Sequence, residues 1–197
     1  MNPFAWARAE ILRSAWKLGL YLPPDRRMLE REILAELACD PSVERLLFVG
    51  VRWYTTDYPR RFAGKMFATI DPDPAVARLG GTPHAVGLVQ DLDQHYPGVV
   101  FDAIVMTGVI GYGLNDRTEV DSALAACARA LRPAGWLVLG VNEPLPTYVA
   151  PDESPARRAF EPRPFGARAA ARIDINLPFK EQRHTFLFWR RTDATTD

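Results

Sequence analysis

The chain has 197 residues, enough for one domain with a well-buried core and too few for two comfortable ones. Lys plus Arg equals Asp plus Glu at 24 each, so no global charge draws the protein to nucleic acid or to an anionic membrane. The apolar fraction of 48% fits a packed globule, yet no window approaches the roughly 18 uninterrupted apolar residues that a membrane span requires.

The first residues, Met1 to Arg8, show neither a basic head followed by an apolar run nor a small-residue cleavage site, so no secretion signal is read and a cytoplasmic location is expected. Residues 4–21 carry Phe4, Ile11, Leu12, Ala15, Trp16, Leu18 and Leu20 at approximately helical spacing, and Pro23-Pro24 ends the run. Asp25 can cap a second helix in which Met28, Leu29, Ile33, Leu34 and Leu37 recur at three and four, up to Asp40-Pro41. These helices make 1–44 an N-terminal segment packed on a domain at 45–197, within a single domain overall.

From there apolar runs alternate with helical or turn-rich stretches. Strands are predicted at 45–51, 65–71, 85–91, 99–107 and 135–141, with a helix at 118–131 through Val120, Leu124, Ala125, Ala128 and Leu131. Such alternation implies crossover connections and a mainly parallel sheet, with ligands at the carboxyl ends of its strands. The proline-rich stretch 144–168 reads as an irregular loop over the site. Runs at 171–176 and 184–190 read as a terminal antiparallel strand pair, and 192–197 as a frayed end. Cys39 and Cys127 show no CxxC and no clustered His, so both are expected as buried structural thiols and no metal is expected.

Asp71 stands 21 residues after Gly50 and ends the second predicted strand, where an acid can accept hydrogen bonds from both hydroxyls of a ribose. Asp91, ending the third, can face an adenine edge, and Gly50 frees the first turn to approach a ligand. Each acid could instead cap a helix; for Asp71 that helix would be 74–79.

Leu46 to Gly50, Thr69-Ile70-Asp71, Gln90-Asp91, Phe101 to Val105 and Ala130-Leu131-Arg132-Pro133-Ala134-Gly135-Trp136-Leu137-Val138 together resemble the ordered motifs of class I S-adenosylmethionine-dependent methyltransferases, over about 45–141. The entry into the fifth strand through leucine, a basic residue, proline and glycine is the most specific of these. The resemblance implies an α/β Rossmann-like three-layer sandwich with a mainly parallel, seven-stranded sheet and an antiparallel C-terminal strand. It implies S-adenosyl-L-methionine as cofactor and a small-molecule acceptor, methylated on O, N or C. The chain departs from the family at Gly50-Val51-Arg52-Trp53-Tyr54-Thr55, which keeps only the first of the alternate glycines.

On that resemblance Gly50, Tyr54, Thr55, Asp71, Asp91, Thr107 and Gly108 are expected to hold the cofactor, and Arg52, Trp53, Tyr58, Tyr112 and Asn115 the substrate. Methyl transfer is an in-line displacement that needs a base only where the nucleophile must lose a proton. Asp116, Glu143 and Tyr112 are the catalytic candidates. His95 and His184 are weaker ones, and His84 reads as solvated. Arg60 and Arg61 could add to an anion grip beside Arg52. Nucleic acid is not expected as a partner, a membrane is excluded, and a homodimer is compatible with these features. Two other classes stay open: a non-catalytic methyltransferase-like module that binds through the aromatic turn at 53–58, and a nucleotide- or NAD-dependent enzyme.

Overall fold

The computed structural model describes residues 10–12, 14–16, 18–145, 147–178 and 182–192. Short runs of aliphatic and aromatic residues form β1 (Arg45–Val49), β2 (Met66–Asp71), β3 (His84–Val86), β4 (Phe101–Thr107) and β5 (Leu131–Glu143), all parallel in the spatial order β3-β2-β1-β4-β5. Three more strands complete the sheet: β6 (Phe160–Pro162), β7 (Arg172–Asn176) and β8 (Arg183–Arg191). β8 runs antiparallel to β5, and β6 and β7 both pair antiparallel with β8 along its far edge. The sheet therefore has eight strands rather than seven, and the expected antiparallel element is β8, flanked on both sides.

Both faces of the central strands are apolar because both are covered, as parallel strands require. The strand period of two sends Leu47, Val49, Ile104, Met106, Leu137 and Leu139 to one core. Leu46, Phe48, Ala103, Val105, Trp136 and Val138 go to the other. The first core is closed by α3 (Leu92–His95) and α4 (Arg117–Ala130), through Leu92, Val120, Ala123, Leu124 and Cys127. The second is closed by a continuous helical rod of α1 (Pro24–Met28), a π turn (Leu29–Ile33) and α2 (Leu34–Cys39). Of the helix expected over 4–21, positions 10–12 and 14–16 are helical, while 4–9, 13 and 17 lie outside the described residues.

Several boundaries differ from expectation for local reasons. β3 stops at Val86 because Gly87 turns the chain: a Cβ there would sit 1.9 Å from His95 Nε2. Asp91 consequently does not end a strand; it follows a 3₁₀ turn at Val89–Asp91 and precedes α3. β5 begins at Leu131, ahead of Pro133 and Ala134 (φ +55°), and the β4–β5 register shifts between Phe101 and Ala103 to absorb them. The proline-rich stretch does not roof the site. From Ala150 it runs along α4, where Ser154 Oγ and Ala156 N both donate to Asp121 Oδ1, and it then forms β6, whose Phe160 is buried. Cys39 is exposed rather than buried, at the end of α2. Cys127 is buried as expected, and desolvation pushes its thiol up to about 12. The tail at 193–197 lies outside the described residues.

Candidate functional site

The parallel register brings the ends of β1, β2 and β4 level, with Val49 beside Ile70 and Met106, and a cleft of about 160 Å³ opens there toward solvent. Gly50 leaves β1 at φ +88°, a left-handed conformation that a side chain rarely adopts. Its own amide donates to Ile70 O at 2.9 Å. Asp71, only 2% exposed, ends β2 across the turn from it.

The Asp71 carboxylate organises the turn. Oδ2 accepts from Val51 N at 2.7 Å and from Arg52 Nη1 at 3.1 Å, and Oδ1 accepts from Asp73 N at 2.9 Å. Asp73, not Asp71, caps the 3₁₀ helix at Pro74–Leu79 by accepting from Ala75 N. Of the roughly four acceptor directions of a carboxylate, protein groups thus use three. The positions where glycines were expected form a tight capped turn: Thr55 Oγ1 donates to Arg52 O at 2.8 Å and accepts from Arg52 N at 3.1 Å. The Arg52 side chain lies back along its own backbone, donating to Val51 O as well as to Asp71.

Gly50, Arg52, Tyr54, Thr55, Asp71, Thr107, Gly108 and Tyr112 all line the cleft, so the structure brings most of the expected residues together. Two of its polar atoms, Gln90 Oε1 and Thr107 Oγ1, are buried with no hydrogen-bond partner among the described residues. Buried polar groups are normally satisfied, so these two stand out among the residues of the cleft wall. Gln90 was not singled out from the sequence; its neighbour Asp91 was. The early end of β3 rotates Gln90 into the cleft wall and leaves Asp91 outside it.

The other expected residues lie elsewhere. Tyr58 is buried in the core behind the turn, edge-on to Phe48 and donating to Glu30 Oε1 at 3.0 Å. Trp53, 49% exposed, lies outside the cleft wall and stacks on Trp16 at 5.2 Å between centroids. Asn115 and Asp116 start α4, where Asp116 and Glu119 form a capping box and Glu119 Oε2 accepts from Asn115 N. Glu143 accepts from Tyr148 Oη at 2.7 Å and from Arg183 Nη2 at 2.8 Å, with Arg172 at 3.5 Å. Burial opposes its charge, but those hydrogen bonds and guanidinium charges outweigh it and hold the carboxyl below its usual range. Arg60 pairs with Asp57 and Arg61 with Glu30, away from the cleft.

The histidines also have structural partners. His84 is not solvated: desolvation lowers its pKa, and its Nδ1 lies 2.8 Å from Thr69 Oγ1. Thr69 Oγ1 also accepts from Gly81 N, which ties the β2–β3 connection to the same hydroxyl. His95 packs against Gly87. His184, buried in β8, meets Asn142 Oδ1 through Nδ1 at 2.8 Å, and Asn142 Nδ2 donates to Tyr112 Oη at 3.1 Å. Tyr112 is thus held at the cleft mouth from β5, and among the described residues its own phenol proton has no acceptor.

No family model matches the sequence, and no curated protein does. Solved structures do match. An N-methyltransferase, NodS, from Bradyrhizobium japonicum WM9 superposes with a TM-score of 0.63 at 16% identity, covering 86% of this chain and 97% of that one. The same protein in complex with S-adenosyl-L-homocysteine matches at 0.53 and 18% identity, over 85% and 92%. A TehB-like SAM-dependent methyltransferase from Corynebacterium glutamicum matches at 0.55 and 19% identity, over 97% and 100%. The chain has the fold of these proteins, a mostly parallel Rossmann-like sheet with an antiparallel strand beside its last parallel one.

Proposed function

We propose that the chain is an S-adenosylmethionine-dependent methyltransferase acting on a small molecule. The observation that carries this reading is the cleft at the strand ends, framed by Gly50 and the buried Asp71 with Gln90, Thr107 and Gly108 in its wall, on a sheet with the fold of known methyltransferases. The residues fit an adenosyl cofactor. Asp71 has one acceptor direction left for a ribose hydroxyl, Gln90 brings an amide side chain to the cleft wall, and Gly50 presents bare backbone. When bound, S-adenosylmethionine supplies a methyl group on a cationic sulfonium, open to in-line attack.

The chain's own contribution is then mainly alignment. Thr107 and Gly108 floor the cleft at the end of β4, and Gly108 N is committed to Gly140 O, which holds that floor against β5. Tyr112 Oη, pinned by Asn142, keeps a proton with which to orient an acceptor oxygen or nitrogen. Asp116 and Glu143 are engaged in a helix cap and in ion pairs, so Tyr112 is the catalytic candidate this geometry favours. Isothermal calorimetry with S-adenosylmethionine and S-adenosylhomocysteine is the test: saturable heat is expected, and none at millimolar ligand would overturn the proposal.

A non-catalytic methyltransferase-like module is the second reading. It draws on Arg52, which occupies one face of Asp71, and on the exposed Trp53. Turnover of a labelled methyl group by the purified protein would exclude it.

A further inference from the structure

Beside the first cleft lies a second, about 1230 Å³ of space open to solvent, with Trp16, Tyr21, Arg26, Tyr54, Tyr112 and Pro178 in its wall. The two clefts share Arg26, Arg52, Tyr54, Gly108 and Tyr112, so groups seated in each would meet in front of Tyr112. Trp16, Tyr21, Tyr54 and Tyr112 bring four aromatic rings to that wall, and Trp16 meets its aromatic neighbours at tilted angles. Trp16 lies 4.8 Å from Tyr54 and 5.2 Å from Trp53, centroid to centroid. Rigid aromatic faces of this kind favour a planar guest.

Arg26 is the unusual group. Its side chain is only 13% exposed, yet it faces both clefts. The guanidinium lies over the Tyr54 ring, 4.4 Å from its centroid, and Nη2 reaches Tyr54 Oη at 3.3 Å. Tyr58 is a second phenol beside it. Asp25 Oδ2, at 3.9 Å from Nε, is beyond hydrogen-bond distance. Among the described residues, its five N–H donors in a planar fork thus meet two neutral phenols and the Asp25 carboxylate, which pairs with it at 3.9 Å without a hydrogen bond. A guanidinium this buried is ordinarily matched by an acid in bidentate contact.

We propose that the second cleft is the acceptor site and that it takes a planar aromatic carboxylic acid, its ring against the Trp16, Tyr54 and Tyr112 walls and its carboxylate on Arg26. This rests on the methyltransferase reading for the word acceptor, while the binding itself does not. The cofactor's own carboxylate has another cation available. Arg52 lies in the Gly50 turn, more than half exposed, where it pairs with Asp71 and lines both clefts. Asp25 lines the second cleft beside Arg26, and there it repels an acid.

The test is titration of the protein saturated with S-adenosylhomocysteine, using salicylate and anthranilate against salicylamide and anthranilamide, followed by tryptophan fluorescence and calorimetry. The acids are expected to bind saturably and at least about tenfold more tightly than the amides, since a charge-assisted bidentate contact is lost in the amide. Arg26→Gln removes that preference. Asp25→Asn tightens the acids several-fold and leaves the amides unchanged, a gain that misfolding cannot produce. Amides binding as well as acids would overturn the proposal, as would Asp25→Asn weakening the acids. It would also fall if Arg26→Gln lost affinity for S-adenosylhomocysteine but kept it for methylthioadenosine, which lacks the carboxylate, because Arg26 would then serve the cofactor. A wild-type protein that binds no S-adenosylhomocysteine defeats the methyltransferase reading instead, and the same titrations without it still decide the cleft.

Discussion

At the scale of single residues, the acid at the end of β2 and the glycine at the end of β1 were legible because each lies at the terminus of a short apolar run, where the chain must leave the sheet. What each side chain touches was not. Asp71 holds its own turn together, accepting from Val51 N and Asp73 N, while Arg52 fills the place where a bare glycine was expected. Gln90 became visible only once β3 was seen to stop short. Thr107 provides a clean separation of stability from binding, because its hydroxyl is buried without a partner among the described residues. Thr107→Val removes an unsatisfied group, so chemical denaturation should show stability unchanged or raised by up to about 1 kcal/mol. Calorimetry should show affinity for S-adenosylhomocysteine falling about five- to tenfold, the loss of one hydrogen bond. Unchanged affinity would mean that Thr107 does not face the ligand.

At the scale of elements, α4 and the outer strands engage both of the acids that looked catalytic. Asp116 accepts from Glu119 N at 2.8 Å at the start of α4, whose amides would otherwise point into solvent unpaired. Asp116→Ala should lower the unfolding free energy by about 1 kcal/mol, the worth of an N-cap, and leave methyl transfer within about twofold in a steady-state assay. A loss of several hundredfold in kcat would return Asp116 to the chemistry. Glu143 clamps the end of β5 to Arg183 of β8 and Arg172 of β7. Its folded pKa is lowered, so its contribution is fully present above the ordinary carboxylate range and fades as pH falls through the folded value. Glu143→Gln should therefore reduce stability by about 1 kcal/mol at neutral pH. Denaturant titrations repeated toward lower pH should show the gap from wild type closing; a gap that widens would contradict the ion-pair assignment.

At the scale of the whole molecule, both cores and the helical rod converge on one edge of the sheet, so a ligand there should report on global stability. S-adenosylhomocysteine at about 100 times its Kd should add roughly 2.7 kcal/mol, a rise in Tm of about 5–10 °C for a chain of this size. Asp71→Asn, which keeps one carbonyl acceptor, should lose most of that shift in a thermal melt. An undiminished shift would place the cofactor away from β2. The mainly parallel sheet and helix α4 were set by sequence alone, because burial on both faces demands continuous apolar runs and burial on one face demands the helical period. The same patterning cannot say that Pro162 lies in an edge strand beside β8, that Tyr58 turns inward, or that Trp16 folds back over the turn at Trp53 and Tyr54. Those outcomes depend on contacts between residues far apart in the chain, and only the tertiary structure decides them. It places a buried guanidinium from the rod, at Arg26, beside the cleft that Gly50 and Asp71 frame.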